Sequence, residues 1–365
     1  LEIICEREKL AEDIGLVQSA VSPRSPMPIL SNMLLRAENG MIDLIGTDLD
    51  IYLWKCTDGE IVEDGSITVP SRKLSEIVRG FQSSGSINLK TDGLSLKISY
   101  EKAEFRLQGI SPEEYPVFPK IDGAVDVEID GSIVKTMMKE TVFAVSEDET
   151  RYALNGISFQ IEGNRLVTVA TDGYMLAYKH SDIDETIEGI VDVIIPTRAA
   201  QELIKIIEDE EKVKVSFGEK YVLWQMRQGY LASRLVEGKF PNYRSAIPEK
   251  FNYKLVLNRA QFLDKVNLVS MIADERTNQI MLEVAPGLIT IRAESPEMGE
   301  GSDQMDVEYD GEKFTVAYNA NLLKEVLKSF SDDLLQYELV DPIRHGKFSP
   351  PGADDHFCII MPMKV

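Results

Sequence analysis

The chain has 365 residues, 44% of them hydrophobic and 27% charged, a globular composition with length for two or three domains. Its 61 acidic residues against 39 basic ones leave a net charge of −22, which excludes a protein that coats nucleic acid over its whole surface. No apolar run near either end approaches the roughly 18 residues of a membrane span, charged Glu2, Glu6, Arg7, Glu8 and Lys9 leave no signal-peptide core, and three scattered cysteines form neither a disulfide framework nor a metal-ligand spacing, as expected of a reducing cytoplasm.

In chain order, Leu10, Ile14, Val17 and Val21 recur at helical spacing and predict a helix over 6–20. "NMLLRAENGMIDLIGTD" at 32–48 predicts a strand pair with a turn, and "VPSRKLSEIVRGF" at 69–81 a second helix over 72–82 with Ser71 as candidate N-cap. A β-meander follows, with alternation through Ile87, Leu89, Leu96, Ile98, Phe105 and Leu107. The same order then returns. Val134, Met138, Thr141 and Val145 predict a helix over 132–145, "GISFQIEGNRLVTVATD" a strand pair at 156–172, and "IPTRAAQELIKII" a helix over 197–207 capped by Thr197. It returns once more with Phe262, Val266, Val269 and Ile272 in a helix over 259–273, "IMLEVAPGLITIRAES" at 280–295, and a helix over 319–330 capped by Asn319. "GTDLDIYLWKC" at 46–56 and "ATDGYMLAYKH" at 170–180 are one phrase written twice, their Thr-Asp pairs 124 residues apart. The third copy reads "AESPEM" instead. The chain is three copies of one unit, cut at 1–121, 122–249 and 250–365, each with two helices and about eight strands, an α+β organisation.

Catalytic constellations are missing from this reading. "HGKFS" at 345–349 lacks the upstream glycine and the ending of a phosphate-binding loop, and neither GxGxxG nor GxSxG occurs. His180, His345 and His356 have no helical pairing for a metal. Asp48 and Asp50 could hold one, but copy two has Asp172-Gly173 there and copy three has no Asp, so a solvated turn is the expectation. No enzyme, catalytic residue, metal or cofactor is expected.

The charge distribution says more. The six predicted helices carry about +4 in total, five of them positive, so the rest of the chain carries about −26. Arg72/Arg79 and Arg198/Lys205 are seven apart, Lys135/Lys139 and Lys324/Lys328 four apart, spacings that share one helix face. If the helices of all copies face one side, that side attracts a phosphate backbone and the strands' outer face repels it. No aromatic interleaving or base-reading motif accompanies these residues, which predicts binding without sequence readout. A metal-dependent carboxylate enzyme and an acidic scaffold that binds only proteins are the competing readings.

With "MPILSNMLLRA" at 27–37, "GTDLDIYL" at 46–53, "VPSRKLSEIVRG" at 69–80, "TRYALNGISFQIEG" at 150–163, "VATDGYMLA" at 169–177, "GKFPNYRSAIP" at 238–248 and the terminal "MPMKV", the chain resembles the bacterial DNA polymerase III beta subunit family, the sliding clamps, along essentially its whole length. The resemblance implies a homodimeric ring of six similar domains around double-stranded DNA, helices lining the hole and sheets forming the rim. It implies a protein without catalysis that tethers the DNA polymerase III alpha subunit, other polymerases and repair proteins, and that a clamp loader places on DNA. It further implies a pocket for short linear motifs at Leu154, Thr171, Gly173, Tyr174, Met175, Leu176, Pro241, Ser245, Ala246, Met361, Pro362, Met363 and Lys364. Many members have Arg in place of Met175, and often Arg or Lys in place of Ser245, so this rim is less basic. The loop at 341–357 is unusual and is not aligned residue by residue. Arg24 and Tyr152 match family positions on loops that contact DNA. They join Arg72, Lys73, Arg79, Lys135, Lys139, Arg198 and Lys205 of the helices as the expected DNA lining, with Arg259, Lys265, Lys324 and Lys328 beside them.

Three copies in one chain also leave one sheet edge unpaired in copy one and one in copy three. Lys102, Phe105, Arg106 and Leu107 lie on the first edge. Met271, Ile272, Glu297, Glu300 and Asp303 lie near the second. Family position supports joining the two head to tail between chains, with an apolar patch rimmed by Lys102 or Arg106 paired with the acids.

Overall fold

The computed structural model describes every residue except 23, 24, 120, 122–124 and 365. Copy one holds β1 (Glu2–Glu6), α1 (Arg7–Gln18), β2 (Asn32–Glu38), β3 (Met41–Thr47), β4 (Ile51–Thr57), β5 (Glu60–Glu63), β6 (Gly65–Pro70), α2 (Ser71–Gly80), β7 (Ser86–Asp92), β8 (Ser95–Tyr100) and β9 (Ala103–Gln108). Copy two holds β10 (Val125–Asp130), α3 (Gly131–Lys139), β11 (Gly156–Glu162), β12 (Arg165–Thr171), β13 (Met175–Asp182), β14 (Ile190–Pro196), α4 (Thr197–Ile206), β15 (Lys212–Phe217), β16 (Tyr221–Met226) and β17 (Gly229–Arg234). Copy three holds β18 (Tyr253–Asn258), α5 (Arg259–Val269), β19 (Gln279–Ala285), β20 (Leu288–Ser295), β21 (Gly299–Asp306), β22 (Phe314–Asn319), α6 (Ala320–Ser329), β23 (Leu334–Leu339), β24 (Gly346–Ser349) and β25 (His356–Ile360).

The sheets do not follow the copies. The chain forms two compact units, one of residues 1–135 and 201–235, the other of 136–200 and 236–365. The first unit contains an eight-stranded sheet in the order β10-β15-β16-β17-β4-β3-β2-β6, four strands from copy two joined to four from copy one. The second contains the order β14-β11-β12-β13-β25-β24-β23-β18, four from copy two and four from copy three. The seams are β4 against β17 and β13 against β25, both antiparallel. In each, the last strand of one copy's meander pairs with the strand that follows another copy's Thr-Asp turn. The two remaining half-copies make smaller sheets, β5-β1-β7-β8-β9 in the first unit and β21-β20-β19-β22 in the second.

The helices bury the expected stripes. Leu10, Ile14 and Val17 are fully buried on α1, as are Leu74 and Val78 on α2 and Val134 and Met138 on α3, each side chain stabilising its unit by roughly 1.5–3 kcal/mol through burial. Local details differ from the sequence reading. Asn319 caps α6, its side chain accepting from the Asn321 and Leu322 amides. Ser71 and Thr197 do not cap. Both are the first helical residue, Ser71 buried with its hydroxyl unpaired and Thr197 donating to the Asn155 carbonyl at 2.7 Å. The helix expected over 132–145 stops at Lys139. The Thr141 hydroxyl donates to the Met137 carbonyl at 2.7 Å, the acceptor its own amide would need, and that amide turns to Met138. In copy three α5 ends at Val269, and the 3-10 turn after it lifts Met271 (76% exposed) and Ile272 out of the core stripe.

Candidate functional site

The repeated phrase is a side-chain-closed turn. Asp172 Oδ1 accepts from the Tyr174 and Met175 amides, both at 2.7 Å, and the Thr171 hydroxyl donates to the Met175 carbonyl at 2.6 Å while accepting from the Gly173 amide. Gly173 sits at φ 91°, a conformation that favours glycine, and a Cβ there would stand 3.1 Å from Arg151 Nη1. In copy one Asp48 Oδ1 accepts from the Asp50 and Ile51 amides at 3.1 and 2.9 Å. Asp48 thus closes the same turn, the solvated-turn reading of that pair.

That turn delivers Tyr174, Met175 and Leu176 to the head of β13. Register pairs Met175 with Ile360 and Leu176 with Ile359, and the Met361 amide donates to the Tyr174 carbonyl at 2.7 Å, so the chain end lies along the turn. Met363 is held by its amide on the Ala317 carbonyl at 2.8 Å, and the Lys364 carbonyl accepts from Gln279 Nε2. Leu176 packs in one cluster with Tyr243, Phe357 and Ile359, and Phe240 and Ile247 pack against it, which brings the flanking Pro241, Ser245 and Ala246 to the same side. Leu154 ends the short turn at Glu149–Leu154, whose Arg151 and Tyr152 reach Gly173 and Gly238. The second unit thus gathers the expected pocket residues around one surface. Leu154, Met175 and Leu176 are buried, while Tyr174 (62%) and Met361 (44%) stand exposed at its lip. Such an apolar, methionine-bearing surface can re-pack around different peptides.

Sequence reasoning missed Arg151, which brings a cation to a rim where Met175 offers none. It also missed Phe240 and Ile247, and His345, whose imidazole lies on the Ala246 carbonyl and whose pKa is pushed down by burial. The two aromatic-or-aliphatic connector residues were visible as "KFPNYRSAI"; nothing local marks Arg151 or His345.

On the same sheet, the β13–β25 seam carries a partly buried charge cluster. Lys179 Nζ lies 3.0 Å from both Glu140 and Asp355. His356, 3% exposed, lies 3.5 Å from Glu140. Burial first, then the Lys179 charge, push His356 down to about 4, so the fold prefers the neutral ring, while burial pushes the Glu140 carboxyl up. A depressed histidine contributes stability that is complete above its unfolded value near 6.5 and lost as pH falls toward 4. Glu140 works in the opposite sense. His356→Gln should therefore flatten the acid side of the stability profile, the wild type losing about 2–3 kcal/mol more than the variant between about pH 7 and about pH 4.5. Parallel denaturant-melt profiles for the two proteins over that range would refute it.

The basic helix residues fall largely on exposed faces. Arg72 is 82% exposed and shares Glu76 with Lys73 (2.9 and 2.7 Å), and Arg79 and Lys139 are exposed. Others are tied down. Lys135 holds Asp209, Lys205 holds the buried Glu202, Lys328 holds Glu325, and Lys324 reaches Ser270 Oγ at 3.4 Å. Arg259 donates to the Asp332 carbonyl, and Lys265 is bound to Asp303 at 2.8 Å. Arg198 is half-buried, Tyr152 is 63% exposed, and Arg24 lies outside the described residues.

At the sheet edges, β9 is the last strand of the first unit's five-stranded sheet and β21 the last of the second unit's four-stranded one. Phe105 on β9 is 43% exposed beside half-buried Leu107 and exposed Lys102 and Arg106, and Arg106 meets Asp92 at 2.8 Å. By β21, Met271 and Ile272 are joined by exposed Leu268 and Met298, which sequence reasoning missed, and Glu297 and Glu300 are exposed.

Three family models match the chain in order: DNA polymerase III beta subunit, N-terminal domain over residues 1–119, central domain over 128–242 and C-terminal domain over 244–364. The beta sliding clamp of Pseudomonas putida is 28% identical over 362 residues, 99% of either chain. That of Staphylococcus aureus is 27% identical over 376 residues, covering 100% of this chain and 99% of the relative. Among solved structures, a DnaN sliding clamp (DNA polymerase III subunit beta) from Pseudomonas aeruginosa bound to griselimycin superposes with a TM-score of 0.95 at 28% identity, covering 100% of this chain and 99% of that one. One from Bartonella birtlesii, also bound to griselimycin, gives 0.94 at 30% identity with both chains fully covered.

Proposed function

Because the chain belongs to the DNA polymerase III beta subunit family and acts as a non-enzymatic DNA sliding clamp, we propose that two copies close into a ring of six domains that encircles double-stranded DNA and tethers its partners through the surface around Leu176. The observation that carries this is the pair of seams. Each copy-to-copy junction within the chain joins a last meander strand to a strand after the Thr-Asp turn. A third junction of that kind needs β9 and β21, which belong to copies one and three and remain open. A second chain supplies both missing halves at once, and two such contacts close.

The domains run 1–121, 122–249 and 250–365 in this reading. The exposed helix cations supply the DNA lining, and the acidic remainder repels the backbone elsewhere. The surface formed by Leu154, Thr171 to Leu176, Pro241, Ser245, Ala246 and the 361–364 tail takes linear motifs of the alpha subunit, the clamp loader, other polymerases and repair proteins. The protein works in the cytoplasm, where the chromosome is. Among the described residues, no helix is long and apolar enough to cross a membrane.

Many lining cations are already ion-paired or screened within about 10 Å at moderate salt. Retention on DNA is therefore topological. Clamp loaded on a DNA circle should survive a salt wash and should leave once the circle is cut. Equal loss from circular and cut DNA at moderate salt would overturn the ring.

A further inference from the structure

The outer face of the second unit's eight-stranded sheet continues past the proposed pocket. Cross-strand partners share a face, so Leu176 with Ile359, then Val169 with Tyr178 and Phe357, then Val167 form one row running away from the Thr171 turn. Tyr243 covers the middle of that row. Beyond it lies a groove of about 560 Å³, floored by Val167 and Tyr178 and walled by Arg165, Arg244, Gln160, Asp192 and Glu162, with Ile161 and Ile190 beside them.

Copy one shows what closes this place. Placing Thr47 on Thr171 sets Arg36 at Gln160, Asp43 at Val167 and Trp54 at Tyr178. There Arg36 puts Nε and Nη2 on the buried Asp43 carboxylate at 2.9 and 2.7 Å, filling the position with an ion pair. Copy two has lost both charges, and its floor is apolar. Its polar wall is also uneven. Asp192 accepts from Gln160 Nε2 at 3.1 Å. Arg244 lies over the Tyr243 ring at 5.0 Å, and among the described residues neither Arg244 nor Arg165 makes an ion pair. Two arginines without an ion pair thus stand beside an apolar floor, and with Glu162 and Asp192 on the same walls the groove is formally neutral in a chain that is −22 overall.

We propose that this groove takes the flank of the same partner segment whose motif occupies the pocket, an extended stretch bearing an aromatic or aliphatic side chain for Tyr178 and Val167 and a carboxylate for Arg165 and Arg244. The inference rests on the pocket reading. From Thr171 to Arg165 is one strand's length, roughly 20 Å, so about six extended residues span it. A carboxylate set between two arginines makes charge-assisted hydrogen bonds, and an acidic flank gives partners a selectivity that a bare apolar motif lacks.

The test is fluorescence anisotropy with synthetic peptides of the alpha subunit's clamp-binding segment. One is cut to the motif. Others carry six extra residues at either end containing Phe and Asp, or the same residues with Asn for Asp. One acidic extension should bind on the order of tenfold tighter than the motif alone. Arg165→Glu with Arg244→Glu should abolish that gain, leave the cut peptide unchanged, and remove the difference between Asp and Asn flanks. A cut peptide that binds while no extension improves it, or an equal gain from the Asn flank, overturns the groove alone. A cut peptide that fails to bind the wild type overturns the pocket and the groove with it.

Discussion

Replacing Met271 and Ile272 together with alanine is expected to convert the dimer into folded monomers. The seams inside the chain set the register of the contact between chains. In the first, Leu53 pairs with Leu231 and Tyr52 with Ala232; in the second, Ala177 pairs with Cys358 and Leu176 with Ile359. The meanders of copies one and two align without a gap, which places Phe105 at Leu231 and Arg106 at Ala232. On the other side Ala293 pairs with Gly301 as Ala170 pairs with Ala177, which places Gly301 at Ala177 and Glu300 at Leu176. Carried to the open edges, Phe105 of one chain should face Gly301 of the other, and Arg106 should face Glu300. A Cβ at Gly301 would stand 3.0 Å from Ile272 Cγ2, so Phe105 arrives against Ile272 with Met271 beside it. Asp303, expected among the rim acids, is already bound by Lys265.

The apolar patch should dominate. A rim ion pair in water contributes at most about 1 kcal/mol, and Arg106 must first leave Asp92. Truncating the two apolar anchors together costs about 2 kcal/mol per contact, and a two-fold ring counts each contact twice. The double variant should lose on the order of 10³-fold in dimer affinity. It should sediment near the 41.0 kDa of one chain at submicromolar concentration with an unchanged circular dichroism spectrum. Arg106→Ala alone should remain a dimer, with stronger dependence on salt. A double variant that stays dimeric would place the contact elsewhere.

What the sequence exposed follows from how local each feature is. The threefold repeat was readable because each copy rewrites the same helix stripes and two of the three the same Thr-Asp turn, and that turn is closed by its own side chains within four residues. Helix ends were less readable. Ser71 and Thr197 carry the right hydroxyls, but the strand before each delivers it one residue late, inside the helix. Thr141 ended α3 by taking a carbonyl from its own backbone, which a 3.6-residue periodicity does not register. Ile272 fitted the apolar stripe of α5 and yet left the core, because the turn at Ser270–Ile272 rotates it outward. The regrouping of strands across copies was hidden for another reason. A β-edge accepts any strand of matching pattern, and only the fold decides that β17 meets β4. The proposed pocket was legible through resemblance alone. Its expected residues come from four separated stretches, at 154, 171–176, 241–246 and 361–364, which approach one another where β13, β25 and the connector after β17 converge.

Deleting residues 361–365 is expected to abolish motif binding while leaving the ring intact. β25 ends at Ile360, and its buried residues through that position hold the seam with β13. Among the described residues, the tail adds the Met361–Tyr174 and Met363–Ala317 backbone bonds and the Gln279–Lys364 contact. Its loss therefore removes one wall of the pocket and little of the core. Single changes divide the same surface. Met363 is half-buried, so Met363→Ala should weaken motif peptides by about 1–3 kcal/mol with a small effect on melting. Leu176 is 5% exposed and packed among Tyr243, Phe357 and Ile359. Leu176→Ala should cost a similar amount of affinity and also about 2–4 kcal/mol of stability. Calorimetric titration with a motif peptide, read beside thermal melts, separates the two effects. All three variants should still dimerise and remain on circular DNA, because β9, β21 and the helix cations are untouched. A truncated protein that folds and binds motif peptides as well as the full chain would move the partner surface away from β13.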